Sequence, residues 1–198
     1  MYIRIINDIH LYGVNPTMSI GTLVAAIAGS PYPVVLNGDV VDIANCKYKD
    51  LPSAAQTFML LRDKVKSREA SFVVRGNHEC NVTQDPDALL VGDSILITHG
   101  DIPMWGKDRS EKFRSQKRGA GFLKRQLVSR MIDGLRRYWT VRPNDRVIEY
   151  VAEQKKFYPN LKYVIMGHSH PPKEIWFQVA GVSCCILPRG VNDLNLQV

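Results

Sequence analysis

The chain has 198 residues, 45% of them hydrophobic and 23% charged, with a formal net charge of +7. That is the composition of one globular domain with a full core, and it excludes a fibrous, low-complexity or disordered chain. No apolar run approaches the roughly 20 residues that span a bilayer. The opening residues 1–7 carry no basic leader ahead of a long apolar stretch, so they read as a first strand and not as a signal peptide.

The cysteines are Cys46, Cys80, Cys184 and Cys185, without C-x-x-C spacing, and the adjacent pair would form only a strained bridge. They read as reduced thiols of a cytoplasmic protein, peripheral to a membrane at most. The charge is uneven. Residues 107–146 hold thirteen Lys or Arg against four Asp or Glu, a local charge of +9 that leaves −2 for the rest. The basic character belongs to an insertion or cap over 105–145, set within a single domain spanning 1–198.

In chain order, strands alternate with helices. A strand over 2–7 runs into Asp8-Ile9-His10. Asn15-Pro16 suits a helix start, with an apolar helix to 28. A buried strand over 33–37 ends at Gly38-Asp39. Ser53-Ala54-Ala55-Gln56 has capping-box spacing and opens a helix over 53–69. A strand over 71–75 ends at Gly76-Asn77-His78-Glu79. Asp8 and Asp39 are one strand–helix–strand unit apart, which puts both carboxylates at the same edge of a parallel sheet, where ligands gather in open α/β folds.

The rhythm then changes. Residues 89–91 and 95–97 flank Gly92-Asp93 as a hairpin leading into Thr98-His99-Gly100-Asp101. Residues 121–139 form a helix, with Leu123, Leu127, Met131 and Leu135 at every fourth position opposite Lys124, Arg125, Arg130, Arg136 and Arg137. A second helix covers 144–158, and a strand over 162–166 runs into Gly167-His168-Ser169-His170. The tail, 175–179, 183–187 and 194–198, suits an antiparallel meander broken at Gly181 and Pro188.

All five histidines, His10, His78, His99, His168 and His170, fall in polar clusters just after these strands. A lone histidine is most often structural, but a complete set at strand ends points to metal. Seven candidate ligands, Asp8, His10, Asp39, Asn77, His99, His168 and His170, exceed the four of a tetrahedral ion. They suit two ions sharing one carboxylate. Imidazole with carboxylate and no thiolate suits Mn²⁺, with Fe, Zn or Ni as alternatives. Side chains alternate along an extended segment, so Asp8 and His10, and likewise His168 and His170, are expected to point the same way.

These five ordered blocks resemble the calcineurin-like metallophosphoesterase superfamily, and the resemblance runs from Asp8 to His170. It implies a four-layer α-β-β-α sandwich of two mixed sheets flanked by helices. It implies that Asp8, His10 and His170 hold the first ion, that Asn77, His99 and His168 hold the second, and that Asp39 bridges them. A metal-bridging hydroxide would attack phosphorus in line, and His78 would stabilise the transition state or protonate the leaving oxygen. Gly76-Asn77-His78-Glu79 is shared with phage-type Ser/Thr phosphatases, which carry Arg-Gly where this chain has Ile43-Ala44. UDP-diacylglucosamine pyrophosphatases are similar in length and spacing and carry an Arg-rich insertion, but have Arg in place of His78.

The substrate is therefore a phosphomonoester, a phosphodiester or a nucleotide pyrophosphate. The alternatives are a non-catalytic scaffold or a nucleic-acid-binding protein retaining the fold. Filled ligand positions and His78 favour the enzyme. The basic segment reads equally as a lid contacting lipid or nucleic acid and as a packed helix with solvated arginines. Asp42 reads as a partner orienting a ligand, Glu79 as orienting His78 or solvated, Asp101 as a loop carboxylate, and Arg75 as a substrate contact or a surface residue.

Overall fold

The computed structural model describes residues 1–13, 15–79, 82–115 and 143–197. Its first half comprises β1 (Tyr2–Asn7), α1 (Ile20–Ala28), β2 (Val34–Asn37), α2 (Leu51–Lys66), β3 (Phe72–Val74), β4 (Ala88–Val91) and β5 (Ile95–Thr98). Two short helices follow, α3 (Asp101–Trp105) and α4 (Lys107–Ser115). Next come α5 (Asp145–Phe157), β6 (Tyr163–Met166), β7 (Ile175–Val179), β8 (Val182–Ile186) and β9 (Gly190–Asn195). The expected helix over 121–139, most of the basic insertion and Cys80 lie outside the described residues.

The strands form two sheets, in the orders β3-β2-β1-β9 and β4-β5-β6-β8-β7. In the first, β1, β2 and β3 run parallel and β9 antiparallel; in the second, β5, β6 and β8 run parallel, with antiparallel β4 and β7 at the edges. Strand alternation divides the apolar side chains into layers. Ile3, Ile5 and Val35 of the first sheet meet Ile95, Ile97, Ile165 and Cys185 of the second between the sheets. Ile6, Val34 and Leu36 face outward onto Leu23 and Ile27 of α1 and Phe58 and Leu61 of α2. Leu96, Val164 and Met166 face outward onto Val147 and Val151 of α5. Helix, sheet, sheet, helix is the resulting order, a mixed α/β sandwich. Each fully buried Leu, Ile, Val or Phe contributes about 1.5–3 kcal/mol. Cys184 and Cys185 alternate like any strand pair, one toward α5 and one between the sheets, and both are free thiols. Among the described residues no helix is long and apolar enough to cross a membrane.

Three local expectations are corrected. Helix α1 starts at Ile20, where the Ser19 hydroxyl accepts from the Thr22 N–H, and not at Pro16, because Thr17 N–H is committed to the Ile9 carbonyl. Helix α2 starts before Ser53, after a 3₁₀ turn over Tyr48–Asp50, with Pro52 in its first turn where a missing N–H costs nothing. The tail is no meander. β7 and β8 form a hairpin, but β9 leaves the second sheet and pairs with β1 in the first. Helices α3 and α4 went unread. The first has only 5 residues, and the second, Lys-Asp-Arg-Ser-Glu-Lys-Phe-Arg-Ser, has no apolar stripe.

Candidate metal centre

Five parallel strands, β1, β2, β3, β5 and β6, end on the same side of the sandwich, and each delivers part of one polar cluster. Asp8 and His10 follow β1, Asp39 follows β2, Asn77 and His78 follow β3, His99 follows β5, and His168 and His170 follow β6. All seven expected ligand positions are buried or half-buried.

The side chains reach the site by left-handed backbone and not by strand alternation. Asp8 (φ 55), His10 (φ 55), Asp39 (φ 52), His168 (φ 69) and His170 (φ 51) are all left-handed, although none is glycine. Each such residue costs on the order of 1–3 kcal/mol and persists only where its surroundings over-determine it. Among the described non-glycine residues only Tyr12, Ala70 and Ala180 share this conformation outside the cluster, so strain concentrates where the polar side chains converge. Two glycines make room. A Cβ at Gly76 would lie 2.3 Å from Asp39 Oδ1, and one at Gly167 would lie 2.7 Å from Asp8 Oδ2.

One end of the cluster is Asp8, His10 and His170. His170 Nε2 lies 2.9 Å from Asp8 Oδ1 and 3.4 Å from His10 Nε2. Asp8 Oδ2 is taken by the His168 N–H at 2.9 Å and by the Asn7 amide at 2.6 Å, which leaves Oδ1 for the site. The other end is Asp39, His99 and His168, with Asn77. His99 donates Nδ1–H to the Asn37 carbonyl at 3.0 Å, so Nε2 is its inward atom. Around that atom stand Asp39 Oδ2 at 3.2 Å, Asn77 Oδ1 at 3.1 Å and His168 Nδ1 at 3.2 Å. Asp39 lies between the two ends, with Oδ2 also 4.0 Å from His10 Nε2 and 3.7 Å from His78 Nε2.

Asp42 orients two imidazoles at once. Its Oδ1 lies 2.6 Å from His78 Nδ1 and its Oδ2 3.6 Å from His10 Nδ1, while the Asn45 N–H and amide fix the carboxylate. Glu79 fits neither sequence reading. It is 1% exposed, and its carboxylate accepts the Asp39 and Val41 N–H groups at 2.9 Å each. It therefore fixes the Asp39 backbone, not His78. Asp101 is buried at the start of α3 and pairs with Arg114, and Arg75 pairs with Asp87, away from the cluster. Two aromatic side chains absent from the sequence reading flank the site. Trp105 of α3 packs edge-on against His168 with ring centres 4.3 Å apart, and Phe113 of α4 packs on His78 at 5.8 Å. An aromatic residue six positions after His99 in an unassigned stretch was the available signal.

The electrostatics are those of carboxylates packed against imidazoles. Burial pushes the Asp39 carboxyl up, but His78, His99 and His10 outweigh it and hold it well below the carboxylate range. Asp8 and Asp42 are likewise driven down by their histidines against burial. Burial pulls the His78 imidazole down, yet Asp39 and Asp42 raise it to about 10. Glu79 is raised to about 8 by burial and by Asp39. His168 is held well below its usual value by burial and by His99.

The donor set fits cations. Asp8, His10 and His170, and Asp39, His99 and His168, each bring one ligand atom within 4.8 Å of the others. Lone pairs that face one another need a proton or a metal between them.

The sequence profile of the calcineurin-like phosphoesterases matches residues 1–172. The chain belongs to that family. No curated protein matches the chain. Similar solved structures of this fold include Vps29 from Chaetomium thermophilum, 12% identical, with a TM-score of 0.48 over 95% of this chain and 72% of that one. A dimetal phosphatase from Danio rerio is 16% identical, with a TM-score of 0.49 over 96% and 87%. A cold-active protein-tyrosine phosphatase from a Shewanella species is 10% identical, with a TM-score of 0.44 over 92% and 70%.

Proposed function

We propose that this calcineurin-like chain hydrolyses phosphoesters with two divalent cations, Mn²⁺ being the working metal. The observation that carries the reading is the convergence of strand-end side chains on Asp39, whose Oδ2 faces His99 on one side and His10 and His78 on the other. Asp8, His10 and His170 hold one ion, Asn77, His99 and His168 hold the other, and Asp39 serves both. Donors of imidazole, carboxylate and amide type without thiolate suit such ions. When bound, the pair supplies a water acidified to a pKa of about 7 and positive charge for the phosphoryl oxygens.

The chain's own residues do the rest. Glu79 and the His78 N–H, which donates to Asp39 Oδ1 at 2.9 Å, keep the shared carboxylate in place. His78 and His170 are the more open imidazoles, their side chains 15% and 14% exposed, while that of His99 is fully buried. Substrate therefore arrives where these two imidazoles reach solvent. With Nδ1 committed to Asp42, His78 offers Nε2–H to the leaving oxygen. Phe113 and Trp105 cover His78 and His168 and keep bulk water from that wall. A phosphomonoester, a phosphodiester or a nucleotide pyrophosphate would each fit this chemistry.

The test is hydrolysis of para-nitrophenyl phosphate and its bis ester by chelator-stripped protein. Activity is expected to return with Mn²⁺, and Asp39→Asn is expected to weaken both ions at once. Turnover that survives chelation, or an Asp39→Asn chain that still binds two ions tightly, would overturn the reading.

A further inference from the structure

The family match ends at residue 172, yet one side chain beyond it reaches Asp8 and another reaches its neighbour Asn7. Arg189, in the loop between β8 and β9, donates Nε–H to the Asp8 carbonyl at 2.9 Å and Nη2–H to the Asn15 carbonyl at 2.8 Å. Those carbonyls bracket the segment that carries His10. In that segment Asp8, His10 and Tyr12 all have positive φ, so the backbone needs outside restraint to hold its shape.

The second contact runs through a pair of amides. A carboxylate only accepts, so the Asn7 atom lying 2.6 Å from Asp8 Oδ2 is its NH₂. That orientation leaves Asn7 Oδ1 as an acceptor, and Asn192 of β9 donates to it at 3.1 Å. Asn192 is itself set by the Pro188 and Gly190 carbonyls, at 3.2 and 3.3 Å, which require its NH₂ on that side. The antiparallel register of β9 on β1, with Asn7 opposite Gly190, brings these groups together.

We propose that Arg189 and Asn192 are positioning residues for Asp8. Arg189 fixes its backbone, and Asn192, through Asn7, fixes its carboxylate so that Oδ1 stays turned toward His170 and His10. The proposal rests on the reading of Asp8, His10 and His170 as an ion-holding set. It bears first on that end of the site: Asp8 Oδ2 also takes the His168 N–H, but His99 and Asp39 are held by the Asn37 carbonyl and by Glu79. Loss of such an outer hydrogen-bond partner typically weakens metal binding by about 10–100-fold.

The experiment is a calorimetric Mn²⁺ titration of the full chain after chelator treatment, comparing wild type with Arg189→Ala, Arg189→Lys and Asn192→Ala. Thermal unfolding in chelator reports whether each variant is folded. Wild type is expected to bind two ions. Arg189→Ala and Asn192→Ala are expected to weaken one ion about 10-fold or more and to weaken the other distinctly less. Arg189→Lys is expected to recover part of the loss, since an ammonium can still donate to the Asp8 carbonyl. Adding Arg189→Ala to an Asp8→Asn chain is expected to change the remaining site no further. Unchanged affinity for both ions, or equal weakening of both, overturns the positioning role and leaves the metal centre standing. A wild-type chain that binds no ion overturns the metal reading, and this proposal with it. Should Arg189→Ala fail to fold, Arg189→Lys and Asn192→Ala decide by the same criteria.

Discussion

The His78 imidazole is held from two sides, with Nδ1 2.6 Å from Asp42 Oδ1 and Nε2 3.7 Å from Asp39 Oδ2. It also stands in a potential ligand group with His10 and Asp39, so its place alone leaves it either a ligand or a proton donor. The hydrogen bond that Nδ1–H gives to Asp42, and the partial exposure of the ring, favour the donor. His78→Ala is therefore expected to keep both ions, as read by metal analysis of the purified chain, and to lose about 10²–10⁴-fold in kcat. A variant that arrives one ion short would make His78 a ligand. The candidate ligands were legible in the sequence because each is a polar residue placed directly after an apolar strand. How they come to share one side was not legible, since alternation along a strand suggested extended backbone and the chain uses left-handed turns at Asp8, His10, His168 and His170. Glu79 was misread for a related reason. Its partners are the N–H groups of Asp39 and Val41, far away in sequence, and no local pattern marks a carboxylate that serves a distant backbone.

At the scale of elements, strands were easier to read than their partners. The parallel order of β1, β2 and β3 follows from alternation with α1 and α2, but β9 could not be assigned to the first sheet from its own residues. Pro188 lacks the N–H that would extend the β8 ladder, and Gly190, at φ 114, turns the chain toward β1. A second device ties α2 to the approach to β4. Asp85, 4% exposed, takes Arg62 Nε at 2.7 Å, the Lys66 ammonium and the Thr83 hydroxyl. Burial pushes its carboxyl up, but Arg62, Lys66 and Thr83 outweigh burial and set it below its usual value. A carboxylate depressed in the folded state adds stability above its unfolded pKa, near 3.9, and that stability is lost as pH falls through the folded value. Asp85→Asn is thus expected to lower unfolding stability by roughly 1–2 kcal/mol at pH 7, the small figure reflecting partial solvation of Arg62 and Lys66. Denaturant unfolding of both chains across pH should show the gap narrowing below about pH 4. A gap that widened on acidification would reverse the sign of the shift.

Across the whole molecule, charge and chemistry are divided. Residues 107–146 carry +9 and the remainder −2, so the part of the chain that holds the carboxylate-rich site is slightly negative on balance. The segment opens with α4, and Phe113 of that helix rests on His78, which places the start of the basic stretch beside the open side of the site. An anionic substrate approaching His78 would pass α4, which carries Lys107, Arg109, Lys112 and Arg114 against Asp108 and Glu111. Charge of this kind acts over about a Debye length, roughly 8 Å at physiological salt, and affects capture more than chemistry. Converting Arg125, Arg130, Arg136 and Arg137 to Gln is expected to leave kcat on para-nitrophenyl phosphate unchanged, because none of the four belongs to the ligand set. The same variant is expected to raise KM for a polyanionic substrate such as single-stranded DNA or a nucleotide diphosphate lipid, and to flatten the dependence of kcat/KM on salt. Steady-state assays at low and high salt separate the outcomes. Equal rates and equal salt slopes on small and polyanionic substrates would make these arginines a solvated face, and the substrate would then have to be recognised by the wall of Trp105, Phe113 and the metal centre alone.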